Sequence, residues 1–315
     1  DYNETSSINI DISISIIGNS TSLVKIKLGQ NGININQEDV TLKNFTLASN
    51  YCSNRIDANR DDLLIDRIKI SCDIDHEWMA VSGRAIEIGR NSSITISNST
   101  IQNFTIGILG QFSTNVNIKN NLFIDNYRHV DFFQDTDDVF ILNNTFVGNP
   151  VKPSDTIFSH AIWLGGTINA TVSGNNFSDL ENSIRIGNTV NSWVQDRNLD
   201  IYNNNFYNIT NYAIFTHYRH DSNSNLHSNN NWFGGLNSSD LVTGDITVTN
   251  TSSSKLDLTV PQYSYSRIWT DARIAITNHT IITDSTWYIN SNLSIHRNGI
   301  LELRNSTLVF NQSYS

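Results

Sequence analysis

Apolar and polar residues follow one eight-residue frame along this chain, apolar-x-apolar-x-Asn-x-x-apolar. It reads VTLKNFTL at Val40 to Leu47, ITISNSTI at Ile94 to Ile101, VNIKNNLF at Val116 to Phe123, VFILNNTF at Val139 to Phe146 and LDIYNNNF at Leu199 to Phe206. Looser copies are LLIDRIKI, ending at Ile70 with Arg67 in the Asn position, and ATVSGNNF, ending at Phe177 with Gly174 there. SNNNW, ending at Trp232, keeps only the close of the frame. Measured between the last apolar residues, the spacings from Leu47 to Trp232 are 23, 31, 22, 23, 31, 29 and 26 residues. Periods of this size mark stacked supersecondary units.

The unit is a strand, because its apolar residues alternate at period 2 and are mostly Ile, Val, Leu and Phe. A second short alternation follows most copies: Ile106/Ile108, Val130/Phe132, Ile162/Leu164, Ile184/Ile186 and Ile214. Two or three strands per coil with loops of uneven length predict an all-β fold, a right-handed parallel β-helix. The rival is a β-sandwich, whose hairpins would want Asn-Gly or Asp-Gly turns between strands. Here Asn recurs in phase with the coil instead. Asn tolerates left-handed backbone at a repeated bend, and its amide both donates and accepts. The expectation is therefore a ladder of buried amides at Asn44, Asn98, Asn120, Asn143 and Asn203.

The frame and its phased Asn resemble the parallel β-helix repeats of prokaryotic secreted and surface proteins, including the carbohydrate-binding and sugar-hydrolase β-helix group. The resemblance covers most of the chain up to about Gly235. NNNWFGG at Asn229 to Gly235 is similar to a coil-ending motif common in archaeal members. It implies a secreted or cell-surface protein and is specific for the fold more than for an activity.

Composition points the same way. The chain has 46 Asn, 37 Ser and 27 Thr among 315 residues, and 30 acidic against 20 basic side chains give a net charge of -10. Nucleic acid wants a basic face, so it is not an expected partner. No apolar run approaches the ~18 residues of a membrane span. The start at Asp1 reads as that of a processed, extracellular chain.

Sixteen Asn lie in N-glycosylation sequons, against about nine expected by chance from composition. Asn44, Asn98, Asn143, Asn278 and Asn305 fall on the expected ladder position, where a buried amide could not carry sugar. N-linked glycans are expected instead at Asn3, Asn19, Asn91, Asn103, Asn169, Asn176, Asn208, Asn237, Asn250, Asn292 and Asn311. Apart from a candidate calcium site, no other cofactor is implied. Cys52 and Cys72 follow adjacent units, and in a secreted protein such a pair predicts a disulfide worth ~3 kcal/mol.

Two regions are expected: a β-helix over 1–240 and a β-rich segment over 241–315. In the second the frame returns as IAITNHTI at Ile274 to Ile281 and LELRNSTL at Leu301 to Leu308, the start of a second β-helix or an assembly or capping domain. No capping helix is legible at either end, and INIDISISII at Ile8 to Ile17 reads as an alternating strand. Unpaired strand edges invite strand addition, so the expected partner is a second copy of the chain.

An enzyme reading has its own candidates. Asp131, His160, Arg185 and His217 follow the copies on consecutive coils, where carboxylates beside Arg or His could move a proton at a glycosidic bond. Trp163, Phe133 and Tyr218 could stack on a sugar. Of the catalytic motifs of polygalacturonase-like β-helix enzymes, only Asp137-Asp138 and Arg67-Ile68-Lys69 have counterparts. Asp135, Asp137 and Asp138 place three oxygen donors within four residues, a candidate calcium site. His217, His220 and His227 raise a metal reading, which alternation opposes by turning His217 and His220 to opposite faces. The reading that takes in most features is a non-catalytic surface glycoprotein, a structural or adhesive subunit of a filament, sheath or surface layer. Its alternative is a polysaccharide-active lyase or glycoside hydrolase, or a carbohydrate-binding module.

Overall fold

The computed structural model describes residues 2–4, 7–28, 32–49, 55–72, 83–90, 92–148, 160–187, 197–216, 225–244 and 246–261, and the strands of a second unit between 266 and 310. Contacts divide the chain into two compact units, 1–261 and 262–315. The segment 241–261 therefore packs with the first unit, to which it adds the strands Val242–Thr243 and Thr247–Val248.

The first unit is a parallel β-solenoid. Each strand pairs with the strand one coil before and one coil after it, which sorts the strands into three faces. On the first face Ile56, Ile86, Ile108, Val130, Ile162 and Ile184 lie in register on successive coils. On the second, Ile65, Ile96, Ile118, Ile141, Val172 and Ile201 do the same. All of these are buried in one continuous core. Period-2 alternation is thus satisfied three times per coil, each time by stacking like on like.

The third face carries the frame's last apolar residue. Leu47, Ile70, Ile101, Phe123, Phe146, Phe177 and Phe206 stand in register. The rings of Phe123, Phe146, Phe177 and Phe206 stack at 4.9 Å per step, as expected for neighbouring coils. Phe233 continues the stack at 5.3 Å, so Phe233, and not Trp232, closes the last copy. Trp232 instead faces outward and lies parallel to Tyr207.

The asparagine ladder is real but sits one residue later than the frame predicts. Asn44, Asn98, Asn120, Asn143 and Asn203 all take φ between 51° and 60°, the left-handed bend. Arg67 and Gly174 hold the same place in the looser copies, at φ 53° and 68°. The buried ladder runs through the next residue: Asn121, Asn144, Asn175, Asn204 and Asn231. Each of the first four donates Nδ2 to the following Oδ1 at 3.0–3.1 Å, and that same Oδ1 accepts its backbone N–H at 2.8–2.9 Å. The bend turns its own side chain to the surface and the next one inward.

INIDISISII is likewise two short strands, Ile8–Ile10 and Ser15–Ile17, on different faces. The second unit is also coiled from parallel strands: Ser266–Thr270, Ser285–Ile289 and Thr307–Phe310 form one sheet. Its two copies of the frame do not stack on each other. Ile274–Ile276 pairs with Leu293–Ile295, and His279–Thr283 with Ile300–Arg304, so its coils are 19 and 21 residues long.

Candidate functional site

Alternation on the first face sends every second side chain outward, and these outward residues form a column. Asp57, Glu87, Leu109, Asp131, Trp163 and Arg185 occupy it on successive coils. Of the enzyme candidates, Asp131 and Arg185 stand in this column and His160 joins them from the start of the Trp163 strand. His217 lies outside the described residues, as does Tyr218.

At the centre is Asp131. Its Oδ1 lies 2.8 Å from His160 Nε2, and its Oδ2 lies 2.7 Å from Arg128 Nη1. The Arg185 guanidinium lies over the Trp163 ring, 4.5 Å from its centroid. The indole N–H donates to Gly187 O at 2.6 Å, which fixes the ring, and the His160 and Phe133 rings meet it edge-on. Burial pushes the His160 imidazole below its ordinary range; Asp131 opposes this, and Arg128 and Arg185 add to it. Burial likewise lowers Arg185, against the pull of Asp131. Accordingly the neutral imidazole donates Nε2–H to Asp131, and Nδ1, which has no hydrogen-bond partner, is left as a base.

A histidine held by a carboxylate, beside two guanidinium groups and an indole, has the parts for proton transfer next to an anion or a sugar ring. It does not have the access. Asp131 is 0% exposed, His160 2%, Arg185 3% and Trp163 5%. In this conformation the group is a buried ion network.

The sequence reading missed the lower half of the column. Asp57 is pushed up by burial, then by Glu87, against the lowering effect of Arg84, which is itself paired with Glu87 at 2.6 Å. The signal was present, since Asp57 lies between Ile56 and Ala58, and Glu87 between Ile86 and Ile88. Asp135, Asp137 and Asp138 lie on another part of the surface, where Asn169 Nδ2 donates to Asp137 Oδ1 at 3.1 Å and to Asp138 Oδ1 at 3.3 Å. No group of three metal-ligating side chains occurs among the described residues. Cys72 is buried in the core, and its expected partner Cys52 lies outside the described residues.

Ten of the sixteen sequon asparagines have a described environment, and none of the ten is buried. Asn98 and Asn143 are exposed and Asn44 is half-buried, so the expectation that the frame's own Asn would be inaccessible is overturned. Asn19, Asn169, Asn208, Asn237 and Asn250 are exposed, and Asn103 and Asn176 half-buried. The burial of Asn3, Asn91, Asn278, Asn292, Asn305 and Asn311 is outside the description.

The model of the right handed beta helix region family matches residues 31–195, just over half of the chain. With the parallel three-faced coil, this places the chain in the right-handed β-helix family. No curated protein matches it. No helix among the described residues is long and apolar enough to cross a membrane.

Proposed function

We propose that this chain is a non-catalytic structural glycoprotein of the cell exterior, a rigid β-helical shaft that carries N-linked sugar and joins copies of itself in a filament, sheath or surface layer. The observation that carries the reading is the division of its asparagines. Seven are buried, Asn121, Asn126, Asn144, Asn175, Asn204, Asn205 and Asn231, and none of them is in a sequon. Most of this separation is built into the frame: the residue two after a ladder Asn is the core Phe, which leaves no place for Ser or Thr. Sugar on the described sequon asparagines would therefore leave the bonds of the ladder intact.

Self-association is supported by the first coils. Ile12, Ile14, Ile17 and Leu23 are 66%, 39%, 61% and 72% exposed, and among the described residues they make up most of the large exposed apolar side chains. The strands Ile8–Ile10 and Ser15–Ile17 beside them pair only with the coil that follows, among the described residues. Apolar surface next to strands with a single neighbour among the described residues favours strand addition, and a heterologous contact of that kind propagates instead of closing. Glycopeptide mapping of the native protein together with electron imaging tests the reading. Occupied sequons and linear or sheet-like polymers are expected; unmodified sequons on a strictly monomeric protein would overturn it.

The hydrogen-bonded Asp131–His160 pair beside Trp163 favours a second reading, a polysaccharide-active enzyme or sugar-binding module. It requires the column to open. Cleavage or binding of a polysaccharide that is lost in a folded Asp131→Asn protein would establish it.

A further inference from the structure

On the second face, near the end of the shaft, the outward side chains leave a shallow groove of about 410 Å³ lined by Asp200, Ile201, Tyr202, His227, Asn229 and Thr249. Asp200 pairs in register with His227, and Tyr202 with Asn229, so the lining is two rows on neighbouring coils. Asp200, Tyr202, His227 and Asn229 are all exposed. One aromatic face among a carboxylate, an imidazole and an amide suits a pyranose ring, which offers C–H groups on one side and hydroxyls at its edge.

A sequon asparagine stands at the rim. Asn250 follows Thr249 directly, and its Nδ2 donates to Asn229 Oδ1 at 3.1 Å. Nδ2 is the atom that takes the sugar in N-glycosylation, and here it points back along the column whose next member is Tyr202. By contrast, the Nδ2 groups of Asn98, Asn169 and Asn208 point at the carboxylates of Asp66, Asp137 and Asp179. Among the described sequons with a bonded amide, only that of Asn250 is aimed at the groove.

We infer that the N-glycan of Asn250 folds back onto the shaft, its inner sugars lying in the groove against the Tyr202 ring and within reach of Asp200, His227 and Asn229. The groove is a docking site for the protein's own sugar. This holds the glycan close to the shaft at the last coils. The inference rests on the glycoprotein reading.

The test is timed release of glycans by an endoglycosidase from the native, folded glycoprotein, followed site by site by mass spectrometry. Asn250 should release about tenfold more slowly than Asn19, the factor that ~1.4 kcal/mol of ring contact gives. Tyr202→Ala should abolish the difference and Tyr202→Phe should keep it, with Asn19 unchanged in both. Because Tyr202 is an outward, exposed residue, these variants are expected to fold, and the unchanged Asn19 rate checks that they do. An occupied Asn250 that releases at the Asn19 rate overturns the inference and leaves the glycoprotein reading standing. A protein with no occupied sequon overturns both, and sugar elsewhere with Asn250 bare overturns the inference alone.

Discussion

Exchanging Asn175 for aspartate alters the chemistry of one buried ladder rung without changing its shape. Asn175 Nδ2 donates to Ile141 O at 2.8 Å and to Asn204 Oδ1 at 3.0 Å, while its Oδ1 accepts Asn144 N at 2.8 Å and Asn144 Nδ2 at 3.0 Å. A carboxylate keeps the accepting side but sets an oxygen against two oxygens on the donating side. Asn204 Oδ1 still receives the Asn175 backbone N–H, but Ile141 O loses its side-chain donor. Each buried group left without its partner costs ~1–3 kcal/mol, and a buried charge adds to that, so Asn175→Asp should lose about 3–5 kcal/mol at neutral pH. Asn175→Ala, which strands the Asn144 N–H and Ile141 O but buries no charge, should lose about 2–4 kcal/mol.

The neighbouring bend gives the control. Asn143 is exposed with φ 55°, so Asn143→Ala removes only an easy left-handed conformation, worth about 1 kcal/mol. Burial raises the pKa of the new carboxyl in the folded state above its unfolded value. Its destabilisation is therefore smallest in acid, where the carboxyl is neutral in both states, and grows as pH rises through the unfolded value. Urea unfolding followed by circular dichroism at several pH values reads all three variants, with an unchanged slope confirming the same transition. If Asn143→Ala proved costlier than Asn175→Ala, or Asn175→Asp stayed within about 1 kcal/mol of the parent at neutral pH, the ladder assignment would be wrong.

Phe146→Ala opens a gap between two rings stacked at 4.9 Å and should cost about 3–5 kcal/mol in the same assay; a loss near zero would mean the stack is not part of the core. Asp66 is raised by burial but lowered further by hydrogen bonds from Asn98, Arg67, Ser97 and Lys43, which bring its carboxyl to about 2. Its contribution, about 1 kcal/mol after solvent screening, is present above the unfolded value near 4 and is lost as pH falls toward 2; Asp66→Asn should flatten that part of the stability profile. Asp131→Asn removes the buried carboxylate that pairs with Arg128 at 2.7 Å and whose charge favours the buried Arg185 guanidinium, and should lower stability by about 3 kcal/mol, read as a drop in melting temperature. An unchanged melting point would show that the ion network does not form.

Much of the fold was legible because stacked coils repeat one residue type in one place, and both the period and the Phe column follow from that. The error over the ladder has a physical origin. Bend and rung are adjacent, and Asn suits both, so NNxF copies cannot tell them apart. The informative copy was ATVSGNNF, where the bend is Gly174 and the rung Asn175. Gly174 takes φ 68° at that bend, the left-handed conformation that Gly adopts freely. The site was legible only in part. Alternation turns Asp131, Trp163 and Arg185 outward, but it does not say which outward residues meet solvent, and these three are buried. In the second unit the same short motif occurs on coils of 19 and 21 residues, and a motif that matches in letters there does not match in register.

One residue's shift along the frame separates the two uses of asparagine in this shaft, and the residue between the rung and the core Phe decides which copies become sequons. In NNTF it is Thr145, which makes Asn143 a sequon; in NNLF it is Leu122, and Asn120 is none. Thr145 is only 2% exposed, because its Oγ1 donates to Pro261 O at 2.6 Å. The same segment is tied to Asn205 by two bonds at Leu256, so residues 256–261 cross the third face over several coils with Leu258 and Val260 half-buried. The hydroxyl that a glycosylating enzyme must read at Asn143 is thus covered once this segment docks, although the Asn143 side chain itself stays exposed. On a shaft whose frame excludes sequons at the rung, this crossing separates the two halves of one sequon, leaving Asn143 exposed while burying the Thr145 hydroxyl.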